Sequence, residues 1–257
     1  MIETAKSAGS PFLLWERNAQ DTAESRLDPI TGDWTIFAPH RNQRPDDFRV
    51  TREVTTKSGS CPFCQGRESD TPAPVWVGCI DEDETRIQTP VYTTSDIDQW
   101  SVRVVPNKYP AVTAAPCKNR NGEREPDIFQ SRPIGGGHEV IIETPQHAES
   151  FSELDHAEAA LVFKAYQDRI RYWYAKPDIR YISIFKNVGR AAGASLRHCH
   201  SQLIAVDRQP KLVANVVERM RHHTAKSGCC LQCDLIRAEL KSKRRIVAQT
   251  KSLVAYC

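Results

Sequence analysis

The sequence predicts a fold that mixes strands and helices. Short apolar segments bounded by turn residues recur up to residue 143, which is typical of strands. A single long stretch with helical spacing follows between residues 155 and 177. A strand, a glycine-containing loop and a further strand then occupy residues 179–205. The 257 residues are enough to bury a core, either as one large domain or as two smaller ones.

The predicted strands of the first half are short and separated by polar segments. Residues 1–26 are polar and irregular, and we expect them to form a loose arm. Asp28-Pro-Ile-Thr-Gly32 is a turn signal that leads into a strand at Trp34–Phe37. Residues 112–135 are expected to form a long surface loop. The remaining strands of this half are predicted at about residues 75–79, 100–105 and 139–143.

The longest predicted helix begins after Ser152-Glu-Leu-Asp155 and ends before Pro177. Its apolar side chains recur at helical spacing at Val162, Tyr166, Ile170 and Trp173. Beyond it the sequence predicts two strands, one at Ile179–Phe185 and one after the glycine-containing loop. A helix over 210–224 and a short helix ending near Ser242 follow, and the last element is a strand over Arg245–Cys257. That last strand ends without a capping or turn residue.

Charge and hydropathy give no sign of a nucleic-acid-binding, membrane or secreted protein. The 35 basic and 32 acidic residues leave a net charge of +3, which gives no argument for a nucleic-acid or membrane partner. No apolar run approaches the ~20 residues of a membrane span. The first twenty residues lack the apolar core of a signal peptide. We therefore expect a cytoplasmic protein.

Nine cysteines are present, and four of them form two C-x-x-C pairs. An odd number of cysteines and two tight pairs in an intracellular protein favour metal binding over disulfides. The pairs are Cys61–Cys64 and Cys230–Cys233.

The segment from Phe185 to Ala205 carries the most informative pattern. Small loop residues, among them Gly189, Gly193 and Ser195, allow backbone N–H groups to approach phosphate oxygens closely. The following strand places its side chains on alternate faces, so one face can carry the three polar side chains His198, His200 and Gln202. A neutral imidazole can attack phosphorus and form a covalent intermediate. The bare histidine pair could equally be a surface pair or a metal site.

This segment resembles the histidine-triad superfamily of nucleotide hydrolases and transferases, with Gln202 in the third histidine's place. The His-x-His-x-Gln form after Asn-x-Gly-x-x-x-Gly-x-Ser is similar to the galactose-1-phosphate uridylyltransferase branch. The resemblance extends from Asp28 to Cys257, and its one departure is Cys199, where the best-known members have proline.

The resemblance implies an α+β fold in which an antiparallel sheet forms a half-barrel with helices packed outside. It implies a first histidine-triad-like domain over residues 27–208, preceded by the arm at 1–26. Residues 209–257 would be the start of a second such domain that is cut short at Cys257.

A zinc site is expected at Cys61-Pro-Phe-Cys64, a motif that resembles a zinc knuckle. Histidines must supply the other two ligands, and the candidates are His40, His138, His147, His156, His198 and His200. The resemblance implies that His198 binds the metal and that His200 is the nucleophile. For the fourth ligand we choose His147, because it lies just after a strand at the entry to the long helix, as the ligand does in the family that this chain resembles. His138 is the alternative. Such a zinc would be structural.

Cys230 and Cys233 resemble a second knuckle found in some members of the family. Its zinc or iron would need further ligands beyond residue 257. Cys229, which is adjacent to Cys230, is an alternative ligand.

Other residues are matched to the substrate by the resemblance. Arg41 and Arg44 belong to a Pro-His-Arg-x-x-Arg-Pro signature that contributes to phosphate binding and to subunit contact, which implies a homodimer. Asn107 matches a nucleoside-contacting position. Asn187, Gly189 and Gly193 belong to the loop that would surround the phosphate.

The implied reaction is a double displacement in which His200 takes a uridylyl group from UDP-glucose and passes it to galactose 1-phosphate. Gln202, Ser195 and the loop amides would stabilise the charge that develops on the phosphate. One alternative is a related nucleotidyltransferase or phosphorylase that acts on another nucleotide sugar, such as ADP-glucose. A third hypothesis is a zinc-stabilised binding module without catalysis.

Overall fold

A computed structural model describes residues 23–38, 41, 61–80, 100–113 and 128–257. The chain divides into two compact units, Met1–Arg208 and Gln209–Cys257. The described part contains antiparallel sheets and helices, so the fold belongs to the α+β class, as predicted.

The first unit is built around a five-stranded sheet in which all neighbouring strands are antiparallel. Across the sheet the strands are β3 (Trp76–Gly78), β4 (Val102–Pro106), β6 (Gly136–Ile142), β8 (His200–Val206) and β7 (Tyr181–Phe185). The long helix α1 (His156–Tyr174) packs on one face of this sheet. The strands and the helix lie where the sequence predicts them, to within a few residues.

A three-stranded antiparallel sheet contains β1 (Glu24–Leu27), β2 (Trp34–Phe37) and β5 (Ser131–Pro133), with β1 in the centre. The sequence prediction is wrong here twice, because β1 overlaps the expected arm and β5 lies within the expected loop. Both strands are short and polar. They pair with each other across about a hundred residues of sequence, and β1 also pairs with the nearby β2. Local periodicity carries no information about such pairing.

Alternation along β6 separates the two faces of the central sheet. Ile141 packs toward α1, in a core that includes Trp76 and Leu161. Its neighbours Val140 and Ile142 face the other way. On that second face they pack against the segment that carries Cys61, Phe63 and Cys64, with Trp100 beside them. The sheet is thus covered by a helix on one side and by the cysteine knuckle on the other.

Helix α1 begins at a capping box. The side chain of Asp155 accepts a hydrogen bond from the backbone N–H of Glu158 at 2.7 Å, and the Glu158 carboxylate accepts one from the N–H of Asp155 at 3.0 Å. The helix buries Leu161, Val162 and Ala165 against the sheet. The predicted start after Asp155 is therefore confirmed.

A buried ion pair joins α1 to β6. Arg169 donates to both carboxylate oxygens of Glu139, at 2.9 and 2.5 Å, and Trp173 donates its indole N–H to the same carboxylate at 3.0 Å. The side chains of Arg169 and Glu139 are 3% and 5% exposed. Removing one partner would leave the other charge buried without compensation.

We expect Arg169→Met to lower the free energy of unfolding by about 3–5 kcal/mol in urea titrations, because it leaves the Glu139 charge buried alone. The double variant Arg169→Met with Glu139→Leu should recover most of that loss, because it buries no charge. Lys164→Met, which breaks the more exposed pair with Asp168 on the same helix, should cost less than about 1 kcal/mol. Equal losses in the two single variants would show that burial does not determine the contribution of the Arg169 pair.

The second unit contains α2 (Lys211–Ser227), α3 (Leu231–Ser242) and a hairpin of β9 (Ile246–Gln249) and β10 (Val254–Tyr256). Helix α2 ends at Gly228, whose φ of 71° is left-handed, as is typical of a glycine at this position. The prediction of one strand over Arg245–Cys257 is wrong, because a turn closed by the Thr250 N–H and the Leu253 carbonyl reverses the chain. In the part of the chain that the structure describes, no helix combines the length and the apolar character that crossing a membrane requires.

Candidate metal centre and active site

Strand β8 and the residues just before it place the predicted site residues. His198 lies two residues before β8 begins at His200, so the predicted strand is shorter at its start. His200 and Gln202 lie on the face opposite α1, where both line a cavity. The ring of Phe63 lies against both histidines, with centroids 5.9 Å from His198 and 5.2 Å from His200. The two imidazoles therefore share one aromatic neighbour but have different polar partners.

The four predicted metal ligands lie together. Cys61, Cys64, His147 and His198 offer ligand atoms that all lie within 4.8 Å of one another. The Nδ1 atom of His198 is 3.6 Å from both sulfurs, and the Nδ1 atom of His147 is 3.4 Å from the sulfur of Cys64. Zn–S and Zn–N bonds of about 2.3 and 2.0 Å at a tetrahedral angle place sulfur and nitrogen about 3.5 Å apart. The donor atoms and their spacing therefore fit a tetrahedral metal ion.

The surroundings of His198 support this fit. Its Nε2 atom lies 2.9 Å from the carbonyl oxygen of Thr144, which accepts the Nε2 proton and leaves the Nδ1 lone pair directed at the sulfurs. Burial raises the pKa of the Cys61 thiol to about 11. A cation between the sulfurs would reverse that effect, because it stabilises the thiolate form.

His138, the alternative ligand, lies elsewhere. It is 4% exposed and its ring nitrogens face Arg41, Asn107, Ala111 and Gln202 rather than either cysteine. Among the described residues, the group able to hold a metal contains His147 and not His138.

The cavity on this face has a volume of about 530 Å³. It is lined by five residues that the sequence assigns to the reaction or the substrate, namely Arg41, Asn107, Ser195, His200 and Gln202. Arg41 donates to the carbonyl oxygen of Tyr109 at 2.6 Å, so this arginine is held against the cavity wall. Arg44 lies outside the described residues.

His200 has the geometry of a nucleophile. Its Nδ1 atom lies 2.7 Å from the carbonyl oxygen of His198, an acceptor, so Nδ1 carries the proton and Nε2 carries the lone pair. Among the described residues none forms a hydrogen bond with Nε2. The side chain is buried, and this burial lowers the pKa of the imidazole. The neutral form that attack requires is thus favoured near pH 7.

The glycine-containing loop lies beside His200. Asn187 and Gly189 line a small crevice together with His198 and His200. Gly189 and Gly193 both have a φ of +76°, and a Cβ at either position would meet no atom within 4 Å. Glycine is therefore required here by the backbone conformation rather than by a crowded neighbour. Gly193 lies outside both the cavity and the crevice.

Cys199 lies just before β8, and its side chain contacts Glu143 and Lys186 rather than the cavity. Its thiol donates to the buried carboxylate of Glu143 at 2.8 Å, and Lys186 donates to its sulfur at 2.9 Å. Burial, with a further contribution from Glu143, raises the pKa of this thiol to about 12. The backbone N–H of Cys199 donates to the carbonyl oxygen of Ala148 at 2.7 Å. Proline, which the best-known members of the family have at this position, has no backbone N–H and could not form this hydrogen bond. Cys199 in place of proline therefore adds one backbone hydrogen bond.

Arg103 is a structural residue of the site that sequence reasoning missed. It is fully buried, its guanidinium lies 4.8 Å from the ring centroid of Trp100, and it donates to Thr71 at 2.9 Å. Thr71 lines the cavity, so Arg103 supports its wall from behind. A lone arginine within the apolar run Val102–Val105 is the signal that marks it.

The second cysteine pair lies at the start of α3. Cys230 and Cys233 are exposed, and the backbone N–H of Cys233 lowers the pKa of the Cys230 thiol. Within the described residues they belong to no group of three or more side chains able to bind a metal. A second metal ion remains a prediction.

Comparison with known proteins decides the family. Residues 79–210, half of the chain, match the family model described as galactose-1-phosphate uridyl transferase, N-terminal domain. The chain belongs to this family. The match includes the glycine-containing loop and the whole of β8, and it begins after the cysteine knuckle.

Curated relatives cover more of the sequence than the family match. An ADP-glucose phosphorylase of Arabidopsis thaliana is 34% identical over 90% of this chain and 61% of its own length. A galactose-1-phosphate uridylyltransferase of Haemophilus influenzae is 27% identical over 90% of this chain and 60% of its own length. The chain thus spans about 60% of the length of the curated relatives it matches.

Solved structures of the uridylyltransferase family show the same fold. A uridylyltransferase structure superposes with a TM-score of 0.64 at 26% identity, over 91% of this chain and 60% of that one. The structure of the Arabidopsis ADP-glucose phosphorylase with bound ADP-glucose gives a TM-score of 0.56 at 29% identity, over 91% of this chain and 63% of that one.

Proposed function

We propose that this chain carries the reaction centre of a nucleotidyltransferase that moves a uridylyl group from UDP-glucose to galactose 1-phosphate, with His200 as the nucleophile. The geometry of His200 carries the proposal. Its Nδ1–H is held by the His198 carbonyl, its Nε2 is free among the described residues, and it lines a cavity together with an arginine and two amide side chains. A purely structural binding module would have no need of this arrangement.

The reaction would proceed in two displacements. Nε2 of His200 attacks the α-phosphorus of UDP-glucose, the bond to the bridging oxygen breaks, and glucose 1-phosphate leaves with that electron pair. A phosphate oxygen of galactose 1-phosphate then attacks the same phosphorus, and the P–Nε2 bond breaks to restore the neutral imidazole. The leaving group is already a stable anion, so the site needs no third histidine to protonate it.

The remaining site residues would bind and orient the substrate. Arg41 and Asn107 line the cavity wall on the strand β4 side, and Ser195 and Gln202 lie near the nucleophile. Hydrogen-bond donors from Gln202, Ser195 and the backbone of the Asn187–Gly193 loop would stabilise the charge that develops on the phosphate oxygens. Arg44 would add a second guanidinium to the phosphate.

We propose zinc as the ion at Cys61, Cys64, His147 and His198, because two sulfur and two imidazole donors at tetrahedral spacing favour it. Four protein ligands would fill the tetrahedron, so the ion would be structural. It would hold the knuckle and Phe63 against the start of β8, and so hold the backbone carbonyl that orients His200.

A second candidate function is phosphorolysis or transfer with ADP-glucose. The relative named ADP-glucose phosphorylase is 34% identical to this chain, above the 27% of the Haemophilus uridylyltransferase. The chemistry at His200 would be the same, with an adenylyl group on the imidazole and another acceptor in the second step.

Intact-protein mass spectrometry after incubation with UDP-glucose or with ADP-glucose, each alone, tests both candidates. We expect UDP-glucose to add the mass of one uridylyl group and galactose 1-phosphate to remove it. An adduct from ADP-glucose only would establish the second candidate. Absence of an adduct from both nucleotide sugars would contradict nucleotidyl transfer through His200.

We further propose that residues 27–208 form a half-barrel domain of the histidine-triad kind and that residues 209–257 are the start of a second such domain. We also propose that the protein is a cytoplasmic homodimer. Strand β2 supports the dimer, because among the described residues it is the edge strand of its sheet and it exposes Ile36 and Phe37. Light scattering on the purified protein should give twice the mass of the chain, and Ile36→Lys should shift it to the monomer.

A further inference from the structure

His138 lies at the centre of a polar network that the proposed reaction does not use. It lies in β6 on the cavity side of the sheet, and its side chain is almost fully buried. Each of its two ring nitrogens has two polar neighbours among the described residues. The nature of those neighbours determines which nitrogen carries the proton.

The Nδ1 atom faces two donors. The backbone N–H of Ala111 donates to it at 2.9 Å, and a guanidinium nitrogen of Arg41 lies 3.2 Å from it. Neither group can accept a hydrogen bond. A proton on Nδ1 would therefore face two other donors in a buried site, so Nδ1 must be the unprotonated nitrogen.

The ring is neutral as well as fixed in tautomer. Burial, and then the positive charge of Arg41, lower the pKa of His138 to about 4, against a smaller opposite effect of the Gln202 hydrogen bond. A neutral imidazole has one proton, so that proton lies on Nε2. The Oε1 atom of Gln202 lies 2.9 Å from Nε2 and accepts it.

This bond sets the orientation of the Gln202 amide. With its oxygen turned to His138, its NH₂ group is the end left to the cavity that Gln202 lines. Among the described residues, no acceptor takes a hydrogen bond from that amide nitrogen. The reversed amide would bring two donors together at His138 and would present an oxygen lone pair to any anion in the cavity.

Asn107 contacts Nε2 of His138 through its amide nitrogen, whereas Gln202 does so through its oxygen. Its amide oxygen accepts the backbone N–H of Tyr109 at 2.8 Å, which fixes the amide nitrogen 3.1 Å from Nε2 of His138. Because Nε2 carries its proton and donates to Gln202, it cannot accept a hydrogen bond from Asn107. The N–H groups of Asn107 therefore remain available to a ligand in the cavity that Asn107 lines. Protein donors thus occupy both amide oxygens, and both amide nitrogens remain as donors.

We propose that His138 is a positioning residue that turns the Gln202 amide so that its N–H groups, rather than its oxygen, face the phosphate of the nucleotide sugar. The inference rests on the proposed function, because it assigns Gln202 to the phosphate. His138 acts through Gln202 and touches neither substrate nor the attacking nitrogen.

Two variants of His138 separate its two nitrogens. His138→Gln can keep an N–H near the Nε2 position but loses the acceptor for Ala111. His138→Asn can keep an acceptor near the Nδ1 position but loses the donor to Gln202. The readout is the single-turnover rate of nucleotidyl-enzyme formation, followed by quenching and mass spectrometry, together with metal content and melting temperature for each variant.

We expect His138→Phe and His138→Asn to slow adduct formation by about 10- to 100-fold. This is less than the effect of removing a donor to a developing anion outright, because Gln202 is still present but no longer held in place. His138→Gln should recover most of that loss. In a Gln202→Ala background, His138→Phe should have little further effect, because the group through which His138 acts is gone. Recovery by Asn instead of Gln, or an undiminished effect of His138→Phe in that background, would overturn the proposal.

A second measurement reads His138 without any substrate. Nitrogen-15 NMR of the imidazole should show a neutral ring protonated on Nε2 at pH 7, and a proton on Nδ1 or a charged ring would overturn the proposal. Failure of the proposed function is distinguishable, since it would show as no adduct on the wild-type protein. An adduct on the wild type with an unimpaired His138→Phe variant would remove only the role of His138.

Discussion

His200→Ala is expected to abolish formation of the nucleotidyl-enzyme while leaving the metal in place. In the proposed reaction Nε2 of His200 bonds to phosphorus, and no other described residue that lines the cavity is a histidine. The metal would be held by His198, whose Nδ1 atom points to the sulfurs instead. Quenched single-turnover reactions with UDP-glucose and ADP-glucose should show no adduct above background.

Gln202→Ala is the matched control for this prediction. Gln202 lies two residues further along the same strand and lines the same cavity. As a stabilising donor it should slow adduct formation by roughly 10²- to 10³-fold without abolishing it. An adduct on the His200→Ala protein, or loss of its metal, would show that the roles of His198 and His200 are wrongly divided.

Loss of a metal ligand is expected to have the second-largest effect. Cys61→Ser or His147→Ala should remove the metal, as measured by elemental mass spectrometry, and should lower the melting temperature by about 10 °C or more. Structural zinc contributes folding free energy directly, and a loss of about 3–5 kcal/mol corresponds to such a shift for a unit of this size. The shift is expected because the knuckle covers one face of the central sheet.

Two controls show whether the loss arises at the metal. His138→Ala should keep the full metal content, since His138 contacts neither cysteine. A chelator should lower the melting temperature of the wild-type protein but not that of Cys61→Ser. Retention of metal by His147→Ala would contradict its assignment as the fourth ligand.

Several features could be predicted from local sequence because they depend on neighbouring residues. The start of α1 follows from Asp155 and the residues after it, since a capping box is formed within four positions. The shared face of His200 and Gln202 follows from the period of two in a strand. The match of Cys61-Pro-Phe-Cys64 to a metal motif follows from its spacing alone.

The choice among histidines could not be made from spacing. Six were available as ligands, and the selection of His147 relied on the resemblance to a family. The structure separates His147 from His138 because the antiparallel register of β6 and β8 sets His138 opposite Ile204, diagonally across from Gln202. This register relates residues about 60 to 70 positions apart, and no local pattern specifies it.

Local sequence is enough to mark the cysteine pair Cys61–Cys64 and the strand that carries His200 and Gln202, because each pattern depends on residues a few positions apart, whereas the fold class follows from the resemblance to a family. Folding sets the tautomer of His138, the burial of Arg103 and the pairing of β1 with β5. These depend on groups brought together from distant parts of the chain, where the donors, acceptors and charges that surround a side chain decide its state.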